Sequence, residues 1–325
     1  METIIINKNE ENQRLDRFLK KYLRNAPLSH VYKIIRKDVK VNGKRVKEDY
    51  VLMALDRVDL YIKEEDLAQV KSRKDIRETK TGVSIAYEDE NILIAIKPKG
   101  LLTHGTALEK KETLANSVIN YLIQKEEYVP RIEKTFSPAP ANRLDRNTTG
   151  LVMFGKNAEA LRELNRLLKE RGKIRRIYLT VVKGEMKEER TLTGYFSNDE
   201  RRNVVSVSKR DGANREEAIL KVTPLACNKG FSLVEAELVS GRTHQIRAQL
   251  SKEGFPVIGD IKYGDLKVNR DMKNTFSLQD QLLHSRRLEF QGIEGSLSYL
   301  NGNAVLAPLP MEFQEIKEKL FKDKV

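Results

Sequence analysis

The sequence is poor in the residues that staple small secreted folds or hold metals. Its 325 residues contain one cysteine, Cys227, and no tryptophan. A single cysteine excludes an intramolecular disulfide and fits a reducing compartment. The four histidines, His30, His104, His244 and His284, are scattered, with no cysteine at ligand spacing, which argues against a structural zinc. No apolar run approaches the roughly 18 residues that a membrane-spanning helix needs. The start, Met1-Glu2-Thr3-Ile4-Ile5-Ile6-Asn7, lacks the basic region and long apolar core of a secretory signal. Acid is scarce as well: 47 Asp+Glu stand against 60 Lys+Arg, a net charge of +13. Such a chain attracts polyanions, with nucleic acid ahead of an anionic membrane surface. The expectation is a cytoplasmic monomer with no membrane partner.

The length suits two domains. In the first, Leu15, Phe18, Leu19, Tyr22 and Leu23 share one helical face. After Asn25-Ala26-Pro27, a second helix carries Val31, Ile34 and Ile35, with Ser29 as its expected N-cap. Val39 to Val46 alternates around Asn42-Gly43, a hairpin signal, and Val58 to Ile62 reads as a strand. Between Arg14 and Lys47, 12 Lys/Arg face only Asp16 and Asp38, a net +10. A solvated face is the plain explanation; phosphate binding is the favoured one. Residues 63 to 81 are polar and aperiodic and mark the domain boundary, placed between residues 75 and 76.

Beyond it, Val83–Tyr87 and Ile92–Ile96 read as strands around an acidic turn. His104, in a loop, reads as a packing or hydrogen-bonding group ahead of a catalytic one. Helices are expected at Leu114–Gln124, capped by Thr113, and from Asn157, its N-cap, to Gly172, its C-cap. Glu126 to Ala141 is irregular. It leads to Asn142-Arg143-Leu144-Asp145-Arg146-Asn147-Thr148-Thr149-Gly150, where one acid stands between two arginines at a turn before an apolar run. A neighbouring guanidinium favours an ionised carboxylate, so the stretch is either a chemical site or a surface turn with a local ion pair. Tyr178, in the strand-like run Ile174–Val182, reads equally as a buried ring or as a stacking platform for a base. Residues Lys187 to Thr223 and Ser232 to Val239 read as further strands. Arg242, His244, Gln245 and Arg247 cluster at a strand-to-helix junction, whose free N–H groups suit an anion as well as they suit a solvated turn. Leu282 to Phe290 and a charged helix from Met311 close the chain.

Two resemblances organise these fragments. Arg14-Leu15-Asp16-Arg17-Phe18-Leu19, Leu28-Ser29 and Val39-Lys40-Val41-Asn42-Gly43-Lys44 resemble the alpha-L RNA-binding module over residues 12–62. This implies RNA binding, with Arg14, Arg17, Lys33, Arg36, Lys40, Lys44 and Arg45 as candidates. NRLDRNTTG, RRIYLTVVKG, GRTHQIRAQL, GFPVIGDIKYG and LLHSRRLEF, in this order between residues 83 and 315, resemble the RluA-type pseudouridine synthases. That resemblance implies an α+β catalytic domain over residues 76–325. Its mixed, largely antiparallel sheet would be flanked by helices and loops, behind an N-terminal module of residues 1–75. It also implies isomerisation of uridine to pseudouridine in RNA without cofactor or metal. Asp145 falls on the catalytic aspartate, Tyr178 on the tyrosine that packs against the base, and Arg247 on the partner of the aspartate. Arg143 matches an arginine that helps displace the target nucleotide, and Leu283 an apolar residue closing the base pocket. Arg242, His244 and Gln245 join the RNA contacts. Asn142 stands where the family usually has His, and Thr149 where Ser is commoner; both bear on fine specificity more than on the reaction. The expected substrate is large-subunit rRNA, with tRNA the alternative. A hydrolase using Asp145 would want a second carboxylate or metal ligands. A non-catalytic RNA-binding or assembly factor would not need Asp145.

Overall fold

A computed structural model describes residues 1–23, 25–63, 65–67, 82–105, 112–129, 135–199, 204–208 and 216–322. In its first part, β1 (Glu2–Ile5), β3 (Arg57–Leu60) and β2 (Val39–Val41) form an antiparallel sheet in the order β1-β3-β2. Two helices, α1 (Leu15–Tyr22) and α2 (Leu28–Asp38), pack on it. The one-sided apolar set predicted for α1, Leu15, Phe18, Leu19 and Tyr22, is buried, with the Phe18 and Tyr22 rings stacked at 5.9 Å. These helices and strands share one apolar core that reaches from Ile4 to Leu67.

Two expectations here are corrected. Pro27, not Ser29, occupies the N-cap of α2, and Ser29 lies inside the first turn; proline needs no N–H there and its φ of −56° leads into a helix. At Asn42-Gly43 the turn forms, with φ of 50° and 77°, but no full return strand follows. Only Val41 bridges Lys44, and β3 takes the place beside β2. The Asn42 side chain selects that partner: it accepts from Arg57 N at 2.8 Å and donates to Asp56 at 2.7 Å. The expected domain boundary lies outside the described residues, as does Pro130 of the irregular approach.

The remaining strands build an 11-stranded sheet. Along it run β10 (Val204–Ser208), β9 (Arg190–Asp199), β11 (Glu216–Asn228), β12 (Phe231–Leu238), β8 (Ile174–Lys183), β13 (Leu283–Phe290), β7 (Thr149–Gly155), β5 (Ile92–Lys97) and β4 (Ser84–Glu88). β6 (Ala139–Pro140) pairs with β7, and β14 (Ala304–Leu306) with β13. All the named strand pairs are antiparallel except β7 with β13, where Thr149 and Gly150 face His284 and Ser285. The class is α+β. Apolar runs at β5 and β7 lack alternation because both sheet faces are covered. Leu93, Ala95, Val152 and Phe154 meet α3 (Leu114–Gln124) in one core. Their sequence neighbours Ile92, Ile94, Leu151 and Met153 meet α4 (Ala158–Leu167) in another. Thr113 and Asn157 cap these two helices by accepting from Asn116 N and Ala160 N. Gly172 is not the C-cap of α4: the last turn tightens, Lys169 N–H bonding Arg166 O, and the helix ends at Leu167. Three further helices, α5 (Gln245–Lys252), α6 (Leu266–Phe276) and α7 (Met311–Phe321), complete the fold.

Candidate active site

The chain between β6 and β7 is held from several sides, which fixes the direction of Asp145. Asn142 accepts from Met153 N at 2.8 Å and reaches Leu151 O at 3.5 Å. Thr103 Oγ1 both donates to Leu144 O at 3.1 Å and accepts from Leu144 N at 3.2 Å. Asn147 donates to Asp280 at 2.6 Å, Gln281 donates to Thr148 Oγ1 at 3.2 Å, and Thr148 N–H closes the turn onto Asp145 O at 3.1 Å. Lys97, wholly buried at the end of β5, donates to Pro98 O, Leu101 O and Arg146 O at 2.9, 2.7 and 2.7 Å. Burial pulls the Lys97 ammonium down to about 7, against the pull of Asp145. A neutral amine has two N–H groups for these three acceptors, so the geometry belongs to the charged form.

Asp145 projects into a cleft of about 1230 Å³. An inner recess of about 60 Å³ is walled by Tyr178, Leu238, Ile246 and Leu283 and rimmed by Asp145, His244 and Arg247. Arg247, on α5, donates through Nη1 to Asp145 Oδ2 at 2.7 Å. Its other edge is bidentate to Asp260, Nε at 2.7 Å and Nη2 at 2.8 Å. Side-chain exposure is 6% for Arg247, 0% for Asp260 and 26% for Asp145. One carboxylate therefore locks the guanidinium from behind, and the other stays open to the cleft. Burial alone would raise Asp260, but Arg247 and the N–H groups of Tyr263 and Lys262 outweigh it and hold the carboxyl below its ordinary value. The Arg247 guanidinium also lies over the Tyr263 ring, 5.3 Å from its centre.

His244 stands at the start of α5 with a left-handed φ of 53°. Its Nδ1 meets Tyr263 OH at 3.0 Å, while Nε2 is 3.9 Å from Asp145 Oδ2, beyond hydrogen-bond reach. Burial holds its imidazole below the ordinary value. Burial also pushes the Tyr178 phenol up, so this ring enters any chemistry neutral.

Asp145, Tyr178, Arg247, Leu283, Arg143, Arg242 and His244 thus converge on one recess. Gln245 joins them in space, but not in role. Its side chain is buried, accepting from Ser240 Oγ and Arg242 N and donating to Ile219 O and Gln249 Oε1. With its amide committed inside the protein, it ties the junction together and leaves nothing for RNA. His104 lies on the cleft wall, where partial desolvation of its ring and then the Arg143 charge lower its pKa. None of the seven basic candidates of the first part lines the cleft. Arg14 pairs with Asp16, Lys40 covers the Tyr61 ring, and Arg45 reaches Lys37 O, while Arg17, Lys33, Arg36 and Lys44 are exposed. Sequence reasoning missed Asp260, Lys97 and Thr103. Asp260 was within reach, inside the GFPVIGDIKYG stretch; a lysine ending the apolar run of β5 was the only local sign of Lys97.

Among the described residues, no group of three His, Cys, Asp or Glu side chains is placed to hold a metal ion. None of their helices is long and apolar enough to cross a membrane.

Comparison with known proteins gives the family. The RNA pseudouridylate synthase family profile matches residues 91–252. An RNA pseudouridine synthase of Mycoplasma capricolum is 31% identical over 94% of this chain and 97% of its own. The Ribosomal large subunit pseudouridine synthase C of Escherichia coli K12 is 31% identical over 88% of each chain. Among solved structures, human RNA Pseudouridylate Synthase Domain Containing 4 shares the fold, with a TM-score of 0.56 and 19% identity over 73% of this chain and 92% of that one. The chain therefore belongs to the RNA pseudouridine synthase family, of RluA type, and is an isomerase that converts uridine to pseudouridine in RNA.

Proposed function

We propose that this isomerase acts on its uridine through Asp145, and that the uridine lies in large-subunit rRNA. The asymmetry of the Arg247 clamp carries the first half. Asp260 is sealed behind the guanidinium, whereas Asp145 is the only acid lining the inner recess among the described residues. The bond from ribose C1′ to uracil N1 must break, the base must turn, and C1′ must join C5, which loses its proton while N1 gains one. A base inside a helix is out of reach, so the target is flipped or already unpaired. A carboxylate can attack the sugar or base, or take a proton from the sugar, without a metal. Arg247 fixes the direction of that carboxylate by a charge-assisted hydrogen bond. Tyr178 gives a flat wall, and Leu238 and Leu283 the apolar sides, that keep a detached uracil in place.

Two supports extend the reading to the whole chain. The first part has its own apolar core and presents Lys33, Arg36 and Lys44 to solvent, which favours an RNA-binding unit of alpha-L type over residues 1–75, ahead of a catalytic domain over 76–325. Large-subunit rRNA is favoured by the name of the Escherichia coli relative; tRNA is the alternative. The test uses total RNA labelled with tritium at C5 of uridine, from a strain lacking the gene. Wild-type protein releases the label and Asp145→Asn does not; release by the variant at the wild-type rate sinks the role of Asp145. Separating the RNA into rRNA and tRNA, then mapping pseudouridine by primer extension, decides the substrate.

A further inference from the structure

A second charge is built into the cleft wall, outside the Asp145–Arg247–Asp260 group. Arg176 lies two residues before Tyr178 on β8, so both side chains point to the same face, about 6.5 Å apart along the strand. It lines the cleft and is only 7% exposed. Its Nη2 donates to Leu238 O at 3.0 Å and reaches Val239 O at 3.5 Å, whereas its Nε–H has no hydrogen-bond partner. The contrast with its neighbour is sharp. Arg175, on the opposite face, pairs with Glu237 at 2.9 Å and with Glu289. Among the described residues, no carboxylate raises the pKa of Arg176, which burial lowers. Arg171, on the same cleft wall, has Glu217 at 2.5 Å and an exposed side chain.

An isolated charge out of water is costly, and the usual solution is a paired acid. Here no counter-charge is paired with it among the described residues, at the edge of a cleft that would receive a polyanion. Gly241 lies close over the guanidinium: a Cβ there would stand 2.9 Å from Arg176 Nη1.

We infer that Arg176 is a built site for a backbone phosphate of the bound RNA, at or next to the nucleotide whose base rests against Tyr178. The planar fork of an arginine suits two phosphate oxygens, and the strand spacing to Tyr178 is of the order that separates base and phosphate within one nucleotide. Burial lowers the pKa of Arg176, in keeping with a cation that completes its environment only when an anion arrives. The inference rests on this cleft being where the RNA is held and not on the part played by Asp145.

The test is the salt dependence of kcat/KM for tritium release from the same labelled total RNA, between about 50 and 200 mM potassium chloride. Arg176→Met removes the charge but keeps an apolar side chain of similar length, and folds with a Tm at or above that of wild type because no uncompensated charge stays buried. The expected result for this variant is a logarithmic salt slope smaller by about 0.7–0.9, the value of one phosphate contact, with kcat/KM down about tenfold at the lower salt. Arg176→Lys keeps the wild-type slope. A Met variant that folds with an unchanged slope overturns the proposal. So does one that fails to fold, since Arg176 is then a structural tie to Leu238 and Val239. If wild-type protein releases no label at any salt, the reading of the cleft itself fails, an outcome visible before any variant is compared.

Discussion

Arg247 aims three N–H groups at two carboxylates, and the two have different duties. Asp260 takes a bidentate contact in full burial; Asp145 takes one contact and keeps its open side to the recess. A lysine has one compact ammonium and cannot serve both geometries. Arg247→Lys is therefore expected to lower kcat/KM by about 100-fold, roughly 2.7 kcal/mol of transition-state stabilisation, read by tritium release at saturating and limiting RNA. Asp260 is the test of stability at the same site. Its folded pKa is held below the usual value, so its contribution is complete above about pH 4 and is lost as pH falls through the folded pKa. Asp260→Asn should cost about 3–5 kcal/mol at neutral pH by leaving the buried guanidinium half-compensated. The Tm gap between wild type and variant should then narrow as pH falls below about 4; a gap that stays constant down to pH 2 contradicts the assignment. Asp145, Tyr178, Arg247 and Leu283 were legible only as members of ordered motifs. No spacing rule links Asp145 to Arg247 across 102 positions, and a buried acid such as Asp260 has no local pattern to betray its partner.

The elements themselves were easier to read, because periodicity and caps are local. The apolar faces of α1 and α4 and the caps at Thr113 and Asn157 follow from side-chain direction within one or two turns. What failed was the choice of partner. Asn42-Gly43 makes its turn, yet the strand beside β2 comes from residue 57 onward, because an amide side chain decides the pairing. The parallel joint between β7 and β13 was equally hidden, although its sign was in the motif as Gly150. That residue has φ of +107°, and a Cβ there would lie 2.8 Å from Ser285 N and closer still to Ser285 O. The joint connects the two halves of the large sheet directly beneath the Asp145 turn. Gly150→Ala is expected to destabilise the protein by about 3 kcal/mol or more, through both strain and the lost approach of the strands. In a chain of this size that lowers Tm by roughly 4–5 °C, and activity falls with the turn even at temperatures where the variant remains folded.

At the scale of the molecule, positive charge is divided between two places. Arg143, Arg242 and Arg247 line the cleft, whereas Lys33, Arg36 and Lys44 are exposed on the first part and none lines the cleft. The first part is not a loose appendage: Ala158 N donates to Asn9 at 3.0 Å and Thr135 N to Glu10 at 3.1 Å. Ala158 opens α4, whose far side packs on the strands beneath the site. Contacts at the distal surface can therefore set how RNA is presented without touching the chemistry. This separates binding from turnover in a measurable way. The triple variant Lys33→Gln, Arg36→Gln, Lys44→Gln removes three charges that the fold does not use for packing. It should raise KM, reduce the salt slope by about 2–3 at roughly 0.7–0.9 per phosphate contact, and leave the single-turnover rate at saturating RNA within about twofold of wild type. A fall in that saturated rate with an unchanged salt slope would move these residues from RNA capture to the stability of the fold, and the unit of residues 1–75 would lose its place in substrate binding.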